Sequence, residues 1–198
     1  MKKLKLAVPL LLLLALVLTG AMCEEEERKR KKDKDDEDEE EELKDYTLYE
    51  DEKWDFKIYY PKEWGKEIIS DESEGLAVAF TAPAESPEDF FLEGVAVIVS
   101  VADPYQDFDE LVAEIISEIQ EGEYWELIDY SEEMIGGYMG YKVIYTETYY
   151  AEKTKYLHYF VNGGDTWYQI MYGAENEVKY SKYLEQVEIM VNSFEITK

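Results

Sequence analysis

Apolar and polar residues alternate along most of the chain beyond residue 44, which predicts a domain made mainly of β-strands. From Trp54 to Tyr60 every second residue is a large apolar one, and Pro61 follows the run. A period of two places successive side chains on opposite faces of a strand, and proline has no amide proton for the ladder. We therefore predict a strand over residues 54–60 with one buried aromatic face, and we expect Trp64 to fold back over that face.

The same periodicity predicts further strands along the domain. The stretches 75–81 and 95–101 are apolar on both faces, so both faces need to be covered by other elements. The segment Asn162–Asp165 reads Asn-Gly-Gly-Asp, which is typical of a hairpin turn that requires positive φ. The other predicted strands cover residues 45–50, 66–70, 125–135, 140–150, 153–161 and 166–174.

Two segments have the apolar spacing of amphipathic helices. The first follows Asp107, which we predict to be an N-cap with Glu110 at the third helical position, and it ends at Gly122. The second covers residues 176–191 near the end of the chain. The order is strands, helix, strands, helix, without strand–helix–strand repeats. This order predicts an α+β fold with a mainly antiparallel sheet, covered by helices on both faces.

Residues 1–22 are expected to be a signal peptide, because three lysines precede a leucine-rich run that is short for a membrane span. Cys23, the single cysteine, follows directly. That is the position of the lipid-accepting cysteine in bacterial and archaeal lipoproteins, so we interpret Cys23 as a lipidation site. Gly20 and Met22 differ from the usual motif, and an incidental cysteine beside an uncleaved anchor is the alternative. Both interpretations hold the rest of the chain at a membrane surface, and we favour export to the outer face of the cell membrane.

Residues 23–43 are expected to form a charged, disordered tether. Four glutamates, a basic block and a long acidic block follow one another, and no apolar residue occurs between positions 24 and 42. Such a segment cannot bury enough apolar surface to fold. It is either a solvated spacer or an electrostatic arm for metal ions or a basic partner. The basic block at Arg28–Lys32 argues against export, since such clusters usually remain cytoplasmic.

The predicted domain, residues 44–198, is strongly acidic. It contains 34 acidic and 11 basic residues, which gives a net charge of −23 out of the −27 of the whole chain. Such a charge repels nucleic acid phosphates and anionic headgroups. We therefore expect no nucleic acid partner and favour basic proteins, cations or neutral ligands. Asn and Gln are scarce beside Glu and Lys, which is typical of thermophilic or salt-adapted organisms such as many archaea.

The residues that could carry catalysis are few. His158 is the single histidine, and one imidazole without cysteine partners does not make a zinc site. A Ser-His-Asp or Cys-His mechanism would have to use it, while Cys23 lies in the tether. The glycines between Gly136 and Gly140 do not have P-loop spacing, and we predict instead that Gly136 and Gly137 form the turn that ends the strand over residues 125–135. We interpret His158 as structural, and we predict neither enzymatic activity nor a cofactor.

Two kinds of binding site remain open in the sequence. Carboxylates at Asp71–Glu74 and Asp103–Asp109 could hold calcium, although neither has EF-hand spacing and solvated loops are favoured. Tyrosines are abundant and could line a ligand groove, although such tyrosines are more often half-buried residues of a sheet. Those singled out are Tyr138, Tyr141, Tyr145, Tyr149, Tyr150, Tyr156 and Tyr159.

Four motifs in order make residues 46–196 resemble the PsbP-like family, named after the extrinsic subunit of photosystem II. They are Phe56–Trp64, Gly140–Lys142, Asn162–Asp165 and Asn192–Phe194. The resemblance implies an α/β/α sandwich with a central antiparallel sheet, and bacterial members can be lipoproteins. The groups with which the photosystem subunit helps to retain calcium and chloride have no match here. A Ran-GTPase-binding family shares the fold, so the fold alone does not fix the function.

Together these observations predict a membrane-tethered lipoprotein outside the cytoplasm. Its domain is expected to act as a non-catalytic accessory or protein-binding module, with a basic protein as partner. A calcium-binding or small-ligand-binding surface lipoprotein is the alternative.

Overall fold

The computed structural model describes residues 43–72, 75–86, 93–149 and 152–197. The chain divides into two compact units, Met1–Asp45 and Tyr46–Lys198. A single 3-10 turn, Leu43–Asp45, is the described part of the first unit. The predicted signal peptide, Cys23 and the rest of the predicted tether lie outside the described residues. Neither helix in the described ranges is long and apolar enough to cross a membrane.

The second unit contains ten strands and two helices within its described residues. The strands are β1 (Tyr46–Asp51), β2 (Phe56–Pro61), β3 (Gly65–Glu72), β4 (Gly75–Thr81), β5 (Gly94–Val101), β6 (Trp125–Ile135), β7 (Tyr138–Tyr149), β8 (Glu152–Asn162), β9 (Thr166–Ala174) and β10 (Glu195–Ile196). The helices are α1 (Phe108–Glu121) and α2 (Glu177–Asn192).

A seven-stranded sheet forms the centre of this unit. Its strand order is β3-β4-β5-β9-β8-β7-β6, and every neighbouring pair is antiparallel. The predicted hairpin at Asn162–Asp165 joins β8 to β9, with Gly164 at φ 85°. Gly136 and Gly137, which join β6 to β7, both have positive φ as well. The glycine-containing turns therefore connect neighbouring antiparallel strands, as the sequence predicted.

The two helices cover opposite faces of the sheet, which confirms the predicted α+β architecture. Helix α1 begins at the predicted cap, where the Asp107 carboxylate accepts hydrogen bonds from the backbone N–H groups of Asp109 and Glu110. Its buried residues pack against Val143, Phe160 and Trp167 of the sheet. Helix α2 packs on the other face, where alternate residues of β4, β5, β8 and β9 form the larger core.

A second, three-stranded sheet in the order β1-β2-β10 was not predicted. The strand predicted over residues 54–60 belongs to it and begins at Phe56, so its predicted start at Trp54 was wrong. The Asp51 carboxylate accepts hydrogen bonds from the backbone N–H groups of Lys53 and Trp54, and Asp55 has φ 51°. Because this turn lies between β1 and β2, the backbone at Trp54 is not part of a strand, although the Trp54 side chain is buried.

Trp64 is buried, as we expected from the sequence. Its backbone N–H donates to the Pro61 carbonyl at 3.0 Å, which closes the turn after β2. The indole ring lies edge-on to Tyr183 of α2, with the ring centroids 5.8 Å apart. The ring thus packs between the small sheet and α2.

Two smaller expectations need correction. Strand β3 continues to Glu72, into the stretch Asp71–Glu74 that was predicted as a turn. The alanine-bearing face of β4, with Ala77 and Ala79, is half-buried rather than fully covered. The sheet residues that pack around α1 come from β7, β8 and β9, so the helix lies toward the opposite end of the sheet from β4.

Candidate binding site

One long stretch of the domain contains no cationic side chain. Between Lys66 and Lys142 the sequence has neither lysine nor arginine, and this stretch includes β4, β5, α1 and β6. Twelve carboxylates lie between positions 103 and 133. Within the described residues, only Glu126 and Glu133 of these twelve form ion pairs, with Lys153 at 2.9 Å and Lys142 at 3.3 Å. The remaining ten have no lysine at ion-pair distance in that part of the chain.

Exposed carboxylates of α1 lie on the same side of the sheet as Glu132 of β6, because α1 packs beside this strand. We call this surface the acidic face. It consists of Glu110, Glu114, Glu118 and Glu121 on α1 together with Glu132, which points to the α1 side of β6. Charges of one sign on one surface add to a long-range field that attracts cationic partners and repels anionic ones.

The α2 side of the molecule differs, because four of its carboxylates form ion pairs with lysines. Its ion pairs join Lys155 to Glu177 at 2.8 Å, Lys179 to Glu175 at 2.9 Å and to Glu93 at 3.4 Å, and Lys182 to Glu85. In the described residues, the α1 and β6 side therefore has more carboxylates without a lysine at ion-pair distance than the α2 side has. The total charge, from which the sequence prediction was made, could not show this polarity.

Large apolar side chains are exposed next to the acidic face. They are concentrated at β6 and the residues beside it, and are 39% to 62% exposed. They are Tyr124, Trp125, Ile128, Tyr130, Met134 and Met139. Aromatic residues and methionine are enriched in protein–protein interfaces, where they supply much of the contact area. This part of the surface therefore combines carboxylates with the apolar groups that a protein partner would bury.

A groove of about 220 Å³ lies between the end of α1 and the sheet. Tyr145 and Tyr156 stack in its wall with ring centroids 5.0 Å apart, and the Tyr156 hydroxyl donates to Glu147 at 3.2 Å. Burial raises the pKa of Tyr145 above its usual range, and burial beside Glu147 raises the pKa of Tyr156 to about 12. Both hydroxyls therefore stay protonated at neutral pH. The groove can hold a small apolar or aromatic group.

His158 also lines this groove, but it is 7% exposed. Its Nε2 lies 3.1 Å from Oε1 of Gln169, and its ring lies 4.0 Å from that of Phe160. Burial lowers the pKa of His158 to about 4, so the imidazole is neutral at pH 7. A buried, neutral histidine with an amide partner agrees with the structural role expected from the sequence.

The other tyrosines singled out in the sequence are dispersed. Tyr141 lines a separate cleft, where its hydroxyl donates to Asp109 at 3.0 Å. Tyr159 lies on the α2 side of the sheet, and Tyr138 packs against the larger core. The side chain of Tyr149 and all of Tyr150 lie outside the described residues. The structure therefore brings two of the seven, Tyr145 and Tyr156, together in one groove.

The carboxylates considered for calcium have other contacts. In Asp103–Asp109, Asp103 accepts a hydrogen bond from the Tyr105 backbone, Asp107 caps α1 and Asp109 accepts the Tyr141 hydroxyl. The side chains of Asp71–Glu74 lie outside the described residues. Within the described ranges, no three His, Cys, Asp or Glu side chains are placed to hold a metal ion together.

Solved structures with a similar fold include three proteins of different organisms. Cyanobacterial PsbP from Synechocystis sp. PCC 6803 has a TM-score of 0.57 and 16% identity, over 77% of this chain and 92% of that one. LpqN of Mycobacterium tuberculosis, involved in cell envelope biogenesis, has a TM-score of 0.56 and 13% identity, over 77% and 86%. The Ran-binding protein Mog1p of Saccharomyces cerevisiae has a TM-score of 0.51 and 11% identity, over 77% and 96%. At these identities the likeness concerns the fold alone.

No curated protein sequence matches the chain. The model of the PsbP family, however, matches residues 44–196, which cover all but the last two residues of the predicted domain. This match includes the four motifs from which the sequence resemblance was inferred, and the antiparallel sheet with helices on both faces agrees with it. The chain belongs to the PsbP family.

Proposed function

We propose that this chain is a membrane-tethered, non-catalytic accessory protein outside the cytoplasm, and that its PsbP domain binds a protein with a basic surface. The observation that carries this proposal is the acidic face, where carboxylates lie beside exposed aromatic and methionine side chains and have no lysine at ion-pair distance among the described residues. Electrostatic attraction would increase the rate of encounter with a basic partner. The apolar groups would then supply the buried area of the complex.

The chemistry of the described residues supports binding more than catalysis. His158, the single histidine, is buried and has an amide as its hydrogen-bond partner. General acid–base catalysis at neutral pH works best with a group whose pKa lies near 7 and that can reach the substrate. The pKa of His158, lowered to about 4 by burial, does not meet that condition.

Two structural neighbours are consistent with an accessory role. LpqN is a protein of cell envelope biogenesis, and Mog1p is a Ran-binding protein. The first is involved in building the cell envelope, and the N-terminal sequence of this chain also predicts an envelope location. The second binds another protein. We infer the kind of partner from the surface charge of this chain, because proteins that share a fold need not share a partner.

Site-directed photo-crosslinking in the native host tests the binding proposal. A photoreactive phenylalanine at Glu118, on the acidic face, is expected to capture one protein with a basic surface. The same group at Glu185, an exposed position on α2, is the matched control and is expected to capture much less of it. The purified partner should then bind the full chain with an affinity that falls as salt is raised, because salt screens exposed charges.

Two results would refute the binding proposal. One is equal capture of the same proteins from both positions, since the acidic face would then have no preference. The other is binding of the purified partner that does not change with salt concentration.

Replacing Cys23 with alanine tests the tether. The wild-type chain is expected to occur in the membrane fraction with a lipid on its N-terminal cysteine, whereas the C23A variant should lose the lipid and leave that fraction after signal cleavage. Fractionation and mass spectrometry of the N-terminal peptide measure both effects, with Thr19→Ala as a control that keeps the cysteine. A mature C23A chain that remains with the membranes would disprove lipid anchoring.

A further inference from the structure

Strand β6 leaves one backbone edge of the seven-stranded sheet open. It is the last strand in the sheet order and pairs with β7 on one side only. Within the described residues, no backbone hydrogen bond reaches its outer side. Unpaired N–H and C=O groups along an edge can add another strand, and proteins usually protect such edges by keeping them short or covered. With eleven residues, β6 is long for an edge strand.

A β-bulge divides this edge into two parts. The register between β6 and β7 shifts between Leu127 and Asp129, so Ile128 is the extra residue. From Asp129 to Ile135 the pairing continues without interruption. A bulge interrupts strand addition locally, so the regular half at Asp129–Ile135 is the part of β6 that can accept a new strand. We call this half the open edge.

The side chains of the open edge differ between its two faces. Tyr130 and Met134, which are 54% and 62% exposed, point to the α1 side of the sheet, and Met139 of β7 lies directly opposite Met134. The carboxylates of Asp129 and Glu133 point to the other side, as the period of two requires. Glu132 also points to the α1 side, between Tyr130 and Met134. An added strand would therefore meet apolar groups and one carboxylate on that face, and the carboxylates of Asp129 and Glu133 on the other.

The charge of the open edge selects the kind of strand that can pair with it. Asp129 and Glu132 have no lysine at ion-pair distance in the described residues, whereas Glu133 forms an ion pair with Lys142. Two copies of this edge would bring like charges together, and like charges on directly opposite strands are destabilising. The open edge is thus protected against self-association, while a basic strand would be attracted to it.

We propose that the open edge of β6 binds an extended segment of the partner in which Lys or Arg alternates with apolar residues, added to the sheet as an eighth strand. This inference rests on the proposed function. It adds which kind of segment the partner would use and where on the sheet that segment would bind. Main-chain hydrogen bonds supply the affinity in such strand addition, and alternate side chains supply the specificity. The basic side chains would reach Asp129 and Glu133, and the apolar ones would cover Tyr130 and Met134.

Hydrogen exchange with a synthetic peptide tests the backbone pairing. The probe is a peptide of about eight residues, long enough for one strand, in which Lys and Val alternate, added to the full chain in detergent micelles. Backbone amides of the open edge are expected to gain protection. The same peptide with every second residue N-methylated keeps its charge but cannot pair along one edge. It should bind at least about tenfold more weakly, or about 1.4 kcal/mol.

Two double variants locate the binding. The D129K/E132K variant changes the charge of the open edge, and E114K/E121K makes the same change on the exposed side of α1. If the peptide adds to β6, the first variant should weaken its binding by at least about tenfold and the second by less than about threefold, since distant charges act only through the screened field.

The possible outcomes separate the two proposals. Equal losses of peptide affinity in both double variants would overturn docking at the open edge. Equal affinity of the N-methylated and the unmethylated peptide would overturn it as well. Either result would leave the acidic face as a surface that attracts basic partners by its charge alone. No binding of any lysine peptide by the wild-type chain would overturn both proposals. Protection of the open edge without peptide, together with a dimer in solution, would show that a second copy occupies it and would equally overturn docking of a basic segment there.

Discussion

Replacing Phe56 with alanine is expected to lower the free energy of unfolding by about 3–5 kcal/mol, the largest effect among the substitutions considered. Phe56 has no exposed surface. Its ring lies 5.7 Å from that of Tyr49, 6.0 Å from that of Tyr168 and 5.8 Å from that of Phe194. These neighbours belong to β1, to β9 and to the segment after α2. Removal of the ring would thus leave a cavity where the small sheet packs on the central sheet.

Chemical denaturation followed by tyrosine and tryptophan fluorescence measures this loss. Tyr105→Ala is the matched control, because Tyr105 is 97% exposed and its replacement should change stability by less than about 0.5 kcal/mol. Phe56→Leu keeps most of the volume and should lose less than about 1.5 kcal/mol, so it stays measurable if the alanine variant does not fold. A loss below about 1 kcal/mol in the alanine variant would mean that β2 does not pack on the central sheet.

The parts of the fold that the sequence predicted well depend on local signals. Helix α1 begins and ends where the cap at Asp107 and the stop at Gly122 placed it, because both act on backbone groups within one turn. The β6–β7 and β8–β9 turns were found for the same reason, since their glycines supply the positive φ that the turns need. In each case the information lies within a few residues of the feature.

The parts that the sequence did not predict depend on which strands become neighbours. The alternation around Phe56 identified a strand correctly, but nothing in it shows that its neighbours are β1 and the two-residue β10. The start of β2 was misplaced because Asp55 takes up a left-handed backbone conformation, which aspartate tolerates better than most residues. The three-stranded sheet is a tertiary arrangement, and its signal is spread over more than a hundred residues.

The candidate site was missed for a similar reason. The absence of Lys and Arg between Lys66 and Lys142 is visible in the sequence, but it becomes a surface only because α1 packs beside β6. The alternation in β6 likewise gives no indication that the strand lies at the edge of the sheet. The net charge of the sequence motivates the proposal of a basic partner, whereas the proposed docking position depends on the strand order of the sheet.

Lowering the pH from 7 to 4 is expected to remove about 3 kcal/mol of stability through His158 alone. Burial lowers the pKa of this imidazole to about 4 in the folded chain, while its value in the unfolded chain is near 6.5. Below pH 6.5 the unfolded chain therefore binds a proton that the folded chain does not. Stability from the neutral histidine is complete above that pH and is lost progressively as the pH falls toward 4.

The total stability of the chain does not isolate this effect, because every group whose pKa differs between the folded and the unfolded chain contributes to the same pH dependence. The informative quantity is the difference in unfolding free energy between wild type and His158→Gln, which keeps a hydrogen-bonding group beside Gln169. At pH 7 this variant should be the less stable, because it loses the ring packed on Phe160. Between pH 7 and pH 4 the difference in unfolding free energy should shift by about 3 kcal/mol in favour of the His158→Gln variant. A difference that stays constant over this range would mean that His158 takes up its proton as readily in the folded chain as in the unfolded one, and hence that the α1 side of the sheet is open to water there.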